Sequence, residues 1–358
     1  MIENIIDKIN EVFYYFEIQD ITPDNYQINY ILRENKKDAP LVEALWAEFE
    51  REGINNAAWA DNTRKSVHQV INLLKEFRPK LKINELTTTV LNDFILYQQN
   101  NRLVDIQYQK RKIKLPEGTN RGYANNVIAK HCNIIRRFLR WAVNKQYIGS
   151  ELLINWKPEV KTIDKPVIFL TWEELMQLYQ AELTDRVKDE VRDIFCFMCF
   201  TSLRYSDAIN LKKNQIHSDY LLVVTQKTHK NIEIDLNKYS SAILEKYADS
   251  KGDYALPRQS NRDMNNILKV IAKEVGLNDT VSISQYYGTQ RIDKTVPKYE
   301  VISTHCGRRT FVCNALSLGI MPHVVMKWTG HSNLAALKPY MDAADTLKRE
   351  EMNKFNSR

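Results

Sequence analysis

A charged segment with two prolines constrains the fold more than any other feature of this chain. Residues 155–168 (NWKPEVKTIDKPVI) contain both prolines and five charged side chains. Proline removes a backbone donor and disfavours helical geometry in the preceding residue, so this segment favours an extended linker. Because 358 residues are enough for two or three domains, we expect separate folding units on either side of a linker at residues 156–168.

Helical periodicity dominates the region before the linker. NTRKSVHQVINLLKEF predicts one helix, with Asn62 or Thr63 at its N-cap, and ELTTTVLNDFILYQQNN predicts another. NVIAKHCNIIRRFLRWAVNKQYI predicts a long helix, because core-type residues recur on one face. This face carries Val127, His131, Ile134, Ile135, Phe138 and Ala142. We expect a helical domain at residues 56–155, preceded by an N-terminal helical segment at residues 1–55.

The region after the linker opens with helices. FLTWEELMQLYQ places Glu174 three residues after Thr171, the spacing of a capping box at a helix start. EVRDIFCFMCFTSLRYSDAINL predicts a buried helix, a turn near Ser202 and a second helix. Cys196 and Cys199 lie within the apolar part, so we expect them to pack in the core.

Short strands and further helices follow. YLLVVTQKTHKNIEIDL predicts two strands around a polar turn, with Ile232, Ile234 and Leu236 alternating as on a half-buried strand. SISQYYGTQRIDKTVPKYEVI predicts another pair of strands. RRTFVCNALSLGI and PHVVMKWTG predict helices that separate around Gly319, and ADTLKREEMNKF predicts a charged C-terminal helix. The fold class is therefore mainly α with a small β-sheet (α+β), with one domain over residues 169–358.

Charge and composition narrow the classes of partner. Residues 101–165 carry 14 Lys or Arg against 5 Asp or Glu, a net of +9, whereas the whole chain carries +7. Such a concentration of charge suggests a polyanionic partner, although a solvated linker face would look the same. No 18-residue apolar run and no signal-peptide pattern occur, so we expect no membrane contact. Five irregularly spaced cysteines favour a reducing compartment.

The basic residues lie in one loop and on one helix. QKRKIKLPEGTNRG is a polar basic loop, and the long helix after it has basic side chains mainly off its core face. A helix with a core face and a basic face can follow a phosphate backbone, and it can equally be an ordinary surface helix. The candidate DNA-binding residues are Lys110, Arg111, Lys112, Lys114, Arg121, Lys130, Arg136, Arg137 and Arg140.

Four further clusters could carry chemistry. They are Arg204 with Asp207; Lys227 in the turn of the first strand pair; His305 with Arg308; and Gly330-His331 followed by Tyr340 nine residues later. The pair at i and i+3 shares a helix face, and a helix N-terminus favours an anion. Taken singly, each cluster has a common structural explanation, such as a surface ion pair, a hairpin turn, a capped helix or a core tyrosine.

As a set, these residue types match the needs of phosphodiester cleavage without a metal. Two arginines can neutralise the non-bridging oxygens through bidentate hydrogen bonds. A tyrosine hydroxyl can attack phosphorus and form a covalent intermediate. A lysine can protonate the leaving oxygen, and histidines can position groups or accept protons.

The ordered set resembles the tyrosine recombinase family, also called phage integrases. TSLRYSDAI resembles its first-arginine box, THCGRRTF its HxxR box, and TGHSNLAALKPY its GH…Y box. FLTWEEL, the excursion around QYYGTQ and STHCGRRTF look most like integrases of Bacteroidetes mobile elements. The resemblance covers about residues 58 to 350.

The resemblance implies a role for each matching position. Arg204 and Arg308 would clamp the scissile phosphate, and Tyr340 would be the nucleophile that forms a 3′-phosphotyrosyl bond. Lys227 would be the general acid, although Lys230 lies in the same turn, and His305 would be a hydrogen-bonding or general-base group. His331 would hold the phosphate or orient the tyrosine, and Asp207 would orient an arginine. Cys306 and Arg309 would have structural roles. The family needs neither metal nor ATP.

The resemblance also implies an architecture and partners. A SAM-like core-binding domain (56–155) and the catalytic domain (169–358) would close on double-stranded DNA as a C-shaped clamp. Residues 1–55 would be an arm-type or accessory region, although the family's arm-binding domain is usually β-rich. The C-terminal tail helix would dock onto a neighbouring protomer, in a DNA-bound homo-oligomer that is a tetramer in the synapse. A DNA-bending or directionality protein could assist, and the protein would act on DNA in the bacterial cytoplasm.

Three alternatives remain open at this point. A type IB topoisomerase-like relaxase would use similar chemistry as a monomer. A helix-turn-helix regulator, suggested by RRTFVCNALSLGIMPHVVMKW, would bind DNA without reaction and leave Tyr340 unexplained. A zinc site could use His305, Cys306, Cys313 and His331, but these residues lack the usual ligand spacing.

Overall fold

The computed structural model describes residues 14, 17, 39–56, 59–100, 122–226 and 231–343. The described residues form two compact units, which divide between Asp164 and Lys165. Ser284–Asp293 belongs to the first unit, and the residues on either side of it belong to the second. Within the described ranges, no helix is both long enough and apolar enough to cross a membrane.

The first unit is helical, as the periodicity predicted. Its described helices are α1 (Val42–Asn55), α2 (Asp61–Phe77), α3 (Thr88–Asn100), α4 (Asn125–Asn144) and α5 (Ser150–Asn155). Each of the four longer helices buries one apolar face in a shared core. On α4, the expected core face is confirmed for His131, Ile135, Phe138 and Ala142, while Val127 and Ile134 are only partly buried.

Helix α1 is part of this core, although sequence analysis placed its residues in a separate segment ending at residue 55. The ring centroid of Trp46 lies 4.6 Å from that of Phe138 on α4, and Phe49 packs edge-on against the same ring. The amphipathic stretch PLVEALWAEFE therefore buries its apolar face against α4. A boundary between residues 55 and 56 would separate two helices that share one core.

The start of α2 differs from the expectation. The helix begins at Asp61, and neither Asn62 nor Thr63 caps it, because Ala60 occupies the N-cap position without a side-chain bond. The carboxylate of Asp61 lies in the first turn, 3.4 Å from the Arg64 guanidinium. A negative charge there interacts favourably with the helix dipole, so this helix can start without a polar N-cap side chain.

The second unit combines helices with short strands. Its first described elements are α6 (Trp172–Tyr179), α7 (Arg186–Thr201), α8 (Tyr205–Ile209), β1 (Tyr220–Val224), β2 (Asn231–Asp235), α9 (Lys238–Lys246) and α10 (Asn261–Glu274). A strand pair, β3 (Thr280–Tyr287) and β4 (Gln290–Pro297), follows in the chain, and its central part, Ser284–Asp293, belongs to the first unit. The last elements are α11 (Lys298–Val301), α12 (Thr304–Ser317), α13 (Pro322–Thr329) and α14 (Lys338–Ala343).

Several local expectations for this unit are confirmed. Thr171 and Glu174 form the capping box of α6. β1 and β2 pair antiparallel, from Tyr220 opposite Asp235 to Val224 opposite Asn231, with alternate residues of β2 buried. α12 and α13 separate on either side of Gly319, which has a φ of 78°. The expected C-terminal charged helix lies outside the described residues.

Helix α7 is the centre of the second core. Every residue from Val191 to Thr201 is buried, including Cys196 and Cys199. Burial raises the pKa of both thiols well above the usual range, so they act as core residues. Gly307 of α12 faces α7 so closely that a Cβ atom on it would lie 3.0 Å from Cβ of Met198. This close approach fixes the position of the neighbouring Arg308.

Candidate active site

The site begins at the C-terminal end of α7. Ser202, the C-cap residue, adopts a left-handed conformation (φ 64°) and is fully buried. This conformation is uncommon for a residue other than glycine and is found preferentially at functional sites. The turn brings Arg204 to the N-cap position of α8, where its side chain is only partly buried.

Asp207, on the first turn of α8, links two parts of the site. Its buried carboxylate accepts a hydrogen bond from the backbone N–H of Gln226, at 2.9 Å through Oδ1. The second oxygen, Oδ2, lies 3.9 Å from Nη1 of Arg204 and has no hydrogen-bond partner among the described residues. Asp207 therefore ties Arg204 to the residue that immediately precedes Lys227.

Arg308 lies on α12 and is only 3% exposed. Its Nη1 donates to the carbonyl of Ser202 at 3.1 Å, and its Nη2 donates to the carbonyl of Thr329 at 2.5 Å. These carbonyls end α7 and α13, where backbone acceptors lack helical partners and carry partial negative charge. The guanidinium is thus positioned by the C-terminal ends of two helices.

The charge on Arg308 is not neutralised by a carboxylate in the described part of the chain. Burial, and then the positive charge of Arg204, lower the pKa of Arg308 to about 10, while Tyr340 and Asp207 act in the opposite direction. Arg308 therefore stays protonated at neutral pH. Arg204, Tyr340 and Asp207 each act electrostatically on Arg308, so all three side chains lie near its guanidinium.

His331 lies beside Arg308 and near Arg204. Gly330 ends α13 with a left-handed φ of 67° and turns the next residue toward Arg308. Nε2 of His331 lies 3.4 Å from Nη2 of Arg308, and Nδ1 lies 2.7 Å from Oγ1 of Thr329. Burial, Arg308 and Arg204 together lower the pKa of His331 to about 4, so the imidazole is neutral at pH 7.

Tyr340 lies on α14, beside the imidazole. The two ring centroids are 6.3 Å apart, and the tyrosine ring packs partly buried against the small cluster that contains Val312 and Leu316. The backbone carbonyl of Tyr340 accepts a weak hydrogen bond from the Cys313 thiol at 3.9 Å. The structure therefore brings Arg204, Asp207, Arg308, His331 and Tyr340 together.

His305 is exposed on the first turn of α12, three residues before the buried Arg308. Two asparagines of α10 hold this turn, since Oδ1 of Asn265 accepts from the Thr304 backbone N–H at 2.8 Å and Oδ1 of Asn261 accepts from the Thr304 hydroxyl at 2.9 Å. Lys227 and Lys230 lie outside the described residues, so their proposed role stays a prediction.

Sequence analysis missed two contributors, Ser202 and Thr329. The backbone carbonyls of both hold Arg308, and the hydroxyl of Thr329 contacts His331. A backbone carbonyl leaves no mark in the sequence, and only the position of Thr329 directly before Gly330-His331 could have drawn attention to it.

The candidate DNA-binding residues of α4 fall into two groups. Lys130, Arg137 and Arg140 are exposed, and the Arg137 guanidinium lies 4.8 Å from the ring centroid of Trp59. Arg136 instead donates to the backbone carbonyl of Trp156 at 2.9 Å, a contact that holds the start of the linker. Lys110, Arg111, Lys112, Lys114 and Arg121 lie outside the described residues.

The considered zinc site is not assembled. Cys306 and Cys313 are buried, whereas His305 is exposed. Burial raises the pKa of Cys313 to about 12, which opposes formation of a thiolate ligand. In the described ranges, no group of three or more His, Cys, Asp or Glu side chains could hold a metal ion.

Comparison with known proteins gives two family matches that together cover most of the chain. Residues 169–346 match the Phage integrase family, and residues 41–157 match the Phage integrase SAM-like domain. The second match includes α1, in agreement with the shared core of the first unit.

Individual proteins are similar to the chain as well. Tyrosine recombinase XerC of Bacillus pumilus (strain SAFR-032) is 22% identical over 274 residues, which is 74% of this chain and 88% of the relative. A lambda integrase dimer bound to a COC′ core site has a TM-score of 0.61 at 14% identity, over 84% of this chain and 95% of that one. The Tn1549 transposon integrase in complex with transposon right end DNA has a TM-score of 0.57 at 15% identity, over 88% and 99%.

The solved structures share the fold, which is mostly helical with small antiparallel sheets. The family matches cover both sides of the linker, and the motifs around Arg204, Arg308, His331 and Tyr340 lie within residues 169–346. The chain therefore belongs to the phage integrase family of tyrosine recombinases.

Proposed function

We propose that this protein is a site-specific DNA recombinase, an integrase that cuts and rejoins DNA through a 3′-phosphotyrosyl intermediate. The observation that carries the proposal is the guanidinium of Arg308, which forms no ion pair with a carboxylate of the described residues and is held by two helix ends near Arg204, His331 and Tyr340. A buried cation without a carboxylate partner is costly to maintain, and a bound phosphodiester would offset that cost.

Arg204 and Arg308 bind the non-bridging oxygens of the scissile phosphate in this proposal. Their hydrogen bonds strengthen as negative charge builds up on these oxygens in the transition state. Because the fork of Arg308 is already fixed by two carbonyls, little reorganisation is needed when DNA binds. Asp207 holds Arg204 and the backbone of Gln226, the residue before Lys227, at a fixed distance from each other.

The covalent step exchanges one phosphate ester for another. The Oη atom of Tyr340 attacks phosphorus, the Oη–P bond forms, and the bond from phosphorus to the 5′-oxygen breaks. The phenolic proton passes to a base, for which His305 is the candidate, and Lys227 donates a proton to the leaving 5′-oxygen. A 5′-hydroxyl attacks the phosphotyrosine in the reverse direction and reseals a strand, without metal or ATP.

The assembly around this step is also a proposal. The helical unit and the catalytic unit would clamp double-stranded DNA, with Lys130, Arg137 and Arg140 contacting phosphates. Solved lambda integrase structures include a dimer on a core site and a tetramer on a Holliday junction, and we propose a tetramer on DNA here. The origin in a Bacteroidetes mobile element, action in the bacterial cytoplasm and the use of an accessory protein are further parts of the proposal.

Covalent trapping tests this function. The protein is incubated with nicked duplexes from the DNA flanking its gene, denatured in SDS, and any DNA-linked peptide is mapped. We expect a peptide linked through Tyr340, and no adduct from Tyr340→Phe although DNA binding is retained. Tyr287→Phe is the matched control, because the Tyr287 hydroxyl donates to Gln285 at 3.0 Å and to no other described residue, and this variant should form as much adduct as the wild type.

The other outcomes separate the competing functions. An adduct on another tyrosine would overturn the nucleophile assignment. Relaxation of a one-site plasmid without exchange between two sites would favour a relaxase. Tight binding to a duplex, with no adduct on any duplex and no effect of Tyr340→Phe, would favour a regulator.

A further inference from the structure

Two asparagines at the start of α10 bond the residue that precedes His305, although the motif chemistry assigns neither of them a role. Oδ1 of Asn265 accepts the backbone N–H of Thr304 at 2.8 Å, and Oδ1 of Asn261 accepts the Thr304 hydroxyl at 2.9 Å. Thr304 is buried, so both bonds are partly shielded from water. The two asparagines therefore fix the backbone from which the His305 side chain extends.

The bond to the Thr304 N–H replaces a cap that α12 does not make for itself. The first N–H groups of a helix have no acceptor within the helix, and the side chain of the N-cap residue usually supplies one. Ser303 occupies the N-cap of α12 but makes no side-chain capping bond, and its Oγ lies 3.6 Å from Sγ of Cys306. Asn265 instead supplies the acceptor from another helix.

The orientation of the Asn265 amide is fixed by Asn261. Nδ2 of Asn265 donates to the backbone carbonyl of Asn261 at 2.7 Å and to its Oδ1 at 3.1 Å. Since both hydrogens of Nδ2 are used in this way, Oδ1 of Asn265 is left to face the Thr304 N–H. A rotated amide would set a donor against that N–H, so the observed arrangement satisfies every polar atom of the Asn265 side chain.

The same end of α10 is also joined to the segment of Arg204. The hydroxyl of Tyr205, the residue after Arg204, donates to the backbone carbonyl of Gln259 at 2.6 Å. Gln259 lies two residues before Asn261 in the chain. One short stretch of chain therefore contacts the immediate neighbours of two motif residues, Arg204 and His305.

We propose that Asn265, oriented by Asn261, is a positioning residue that caps the first turn of α12 and so places His305 for its reaction with DNA. This inference rests on the proposed recombinase function. Arg308, one turn later on α12, is held separately by two helix-end carbonyls. Loss of the Asn265 bond should therefore disturb the step that uses His305 and leave the phosphate clamp in place.

A double-mutant cycle tests this role in cleavage of a nicked duplex. Asn265→Ala removes the cap, and we expect adduct formation to slow about five- to tenfold, the usual effect of a lost helix cap, while affinity for DNA in gel-shift assays is unchanged. In a His305→Gln background the same substitution should cost less than about twofold, because the group that it positions is absent.

Asn314→Ala is the matched control for the cycle. Asn314 also links α12 to another segment, since its Nδ2 donates to the Leu170 carbonyl at 3.0 Å, but it lies near the C-terminal end of the helix. Its loss should leave the rate of adduct formation within about twofold of each parent protein.

A second readout follows the bond itself and needs no DNA. An N–H at the first position of a helix ordinarily exchanges its hydrogen quickly, because no helical acceptor protects it. We expect slow exchange at the Thr304 N–H in the wild type and in Asn314→Ala, and fast exchange in Asn265→Ala. Spectra of protein with nitrogen-labelled threonine measure this exchange, and Thr304→Ser identifies the signal.

The outcomes separate this proposal from the recombinase function. Fast exchange at Thr304 in the wild type would overturn the cap, even if Tyr340 forms its adduct. An unchanged rate in Asn265→Ala, or equal losses with and without His305, would remove the positioning role. Slow exchange that Asn265→Ala abolishes, in a protein that forms no adduct, would support the cap and contradict the recombinase function. If Asn265→Ala does not fold, wild-type exchange and the same cycle with Asn261→Ala, which removes the group that orients Asn265, decide the proposal.

Discussion

Two buried arginines of the second unit, Arg192 and Arg308, show opposite ways of keeping a guanidinium inside a protein. Arg192 is 7% exposed and Arg308 is 3% exposed, so water reaches neither side chain freely. Both donate to backbone carbonyls near helix ends. They differ in the negative charge that surrounds them.

Arg192 is neutralised by carboxylates. Its Nε donates to Asp193 at 2.7 Å, its Nη2 donates to Asp189, and its Nη1 bonds two carbonyls. Lys246 bonds both aspartates at 2.6 Å, and the hydroxyl of Tyr247 donates to Asp193 at 2.7 Å. This network is complete without a ligand, which is the arrangement expected of a structural ion cluster.

Arg308 has carbonyls and a neutral imidazole where Arg192 has carboxylates. The partial charges of two helix ends hold the cation but do not cancel it. The difference teaches that burial alone does not mark a functional arginine, whereas a buried arginine without an ion pair to any described carboxylate is a candidate for binding an anion. Replacing each arginine should therefore affect different properties of the protein.

Replacing Arg308 should give the largest effect, and it should fall on the reaction. Arg308→Met removes the guanidinium that we propose binds the scissile phosphate, and loss of one such donor commonly slows a reaction by about 100- to 1,000-fold. We expect the rate of covalent adduct formation to fall by at least about 1,000-fold, while affinity for DNA in gel-shift assays changes little. Cleavage by Arg308→Met at the wild-type rate would contradict the phosphate-clamp assignment.

Replacing Arg192 should instead lower stability. Arg192→Met leaves Asp189 and Asp193 with Lys246 as their remaining cation, and breaking a buried charge network commonly costs about 3–5 kcal/mol. We expect the free energy of unfolding in urea to fall by about that amount. The protein that remains folded should form the Tyr340 adduct at the wild-type rate, and a selective loss of cleavage would contradict the comparison.

The smallest effect concerns the titration of His331. Burial is the main cause of the lowered pKa of His331, and the charges of Arg308 and Arg204 add to it, so Arg308→Met should raise the pKa only part of the way from about 4 toward the ordinary 6.5, whereas Arg192→Met should leave it unchanged. In the wild type, the unfolded chain binds a proton at His331 between pH 6.5 and 4 and the folded protein does not, so this group lowers stability as the pH falls through that window.

The unfolding free energy of the wild type should accordingly decrease more than that of His331→Gln between pH 7 and 4.5. Urea unfolding at both pH values measures this double difference, in which contributions from other groups cancel. NMR titration of the imidazole in the two arginine variants measures the pKa directly. Equal pH dependence of His331→Gln and wild type would contradict the lowered pKa.

Sequence patterns predicted the motif residues of the site, but they did not predict the long-range contacts that hold these residues in place. Helical periodicity and the capping box at Thr171 depend on near neighbours, so local patterns were enough to find them. The carbonyls of Ser202 and Thr329 come from residues about 130 positions apart along the chain, and only the packing of α7, α12 and α13 brings them to one guanidinium. The packing of α1 on α4 could not be predicted from local patterns, because the two helices lie about 70 residues apart along the chain.

Gly307 determines how closely α12, which carries Arg308, can pack against α7. A Cβ atom at this position would lie 3.0 Å from Cβ of Met198, so even alanine would require α12 or Met198 to shift by a few tenths of an ångström. Arg308 follows directly in the chain and would move with the helix, away from carbonyls that belong to other segments. The position of the Arg308 guanidinium therefore depends on the absence of a side chain at the preceding residue.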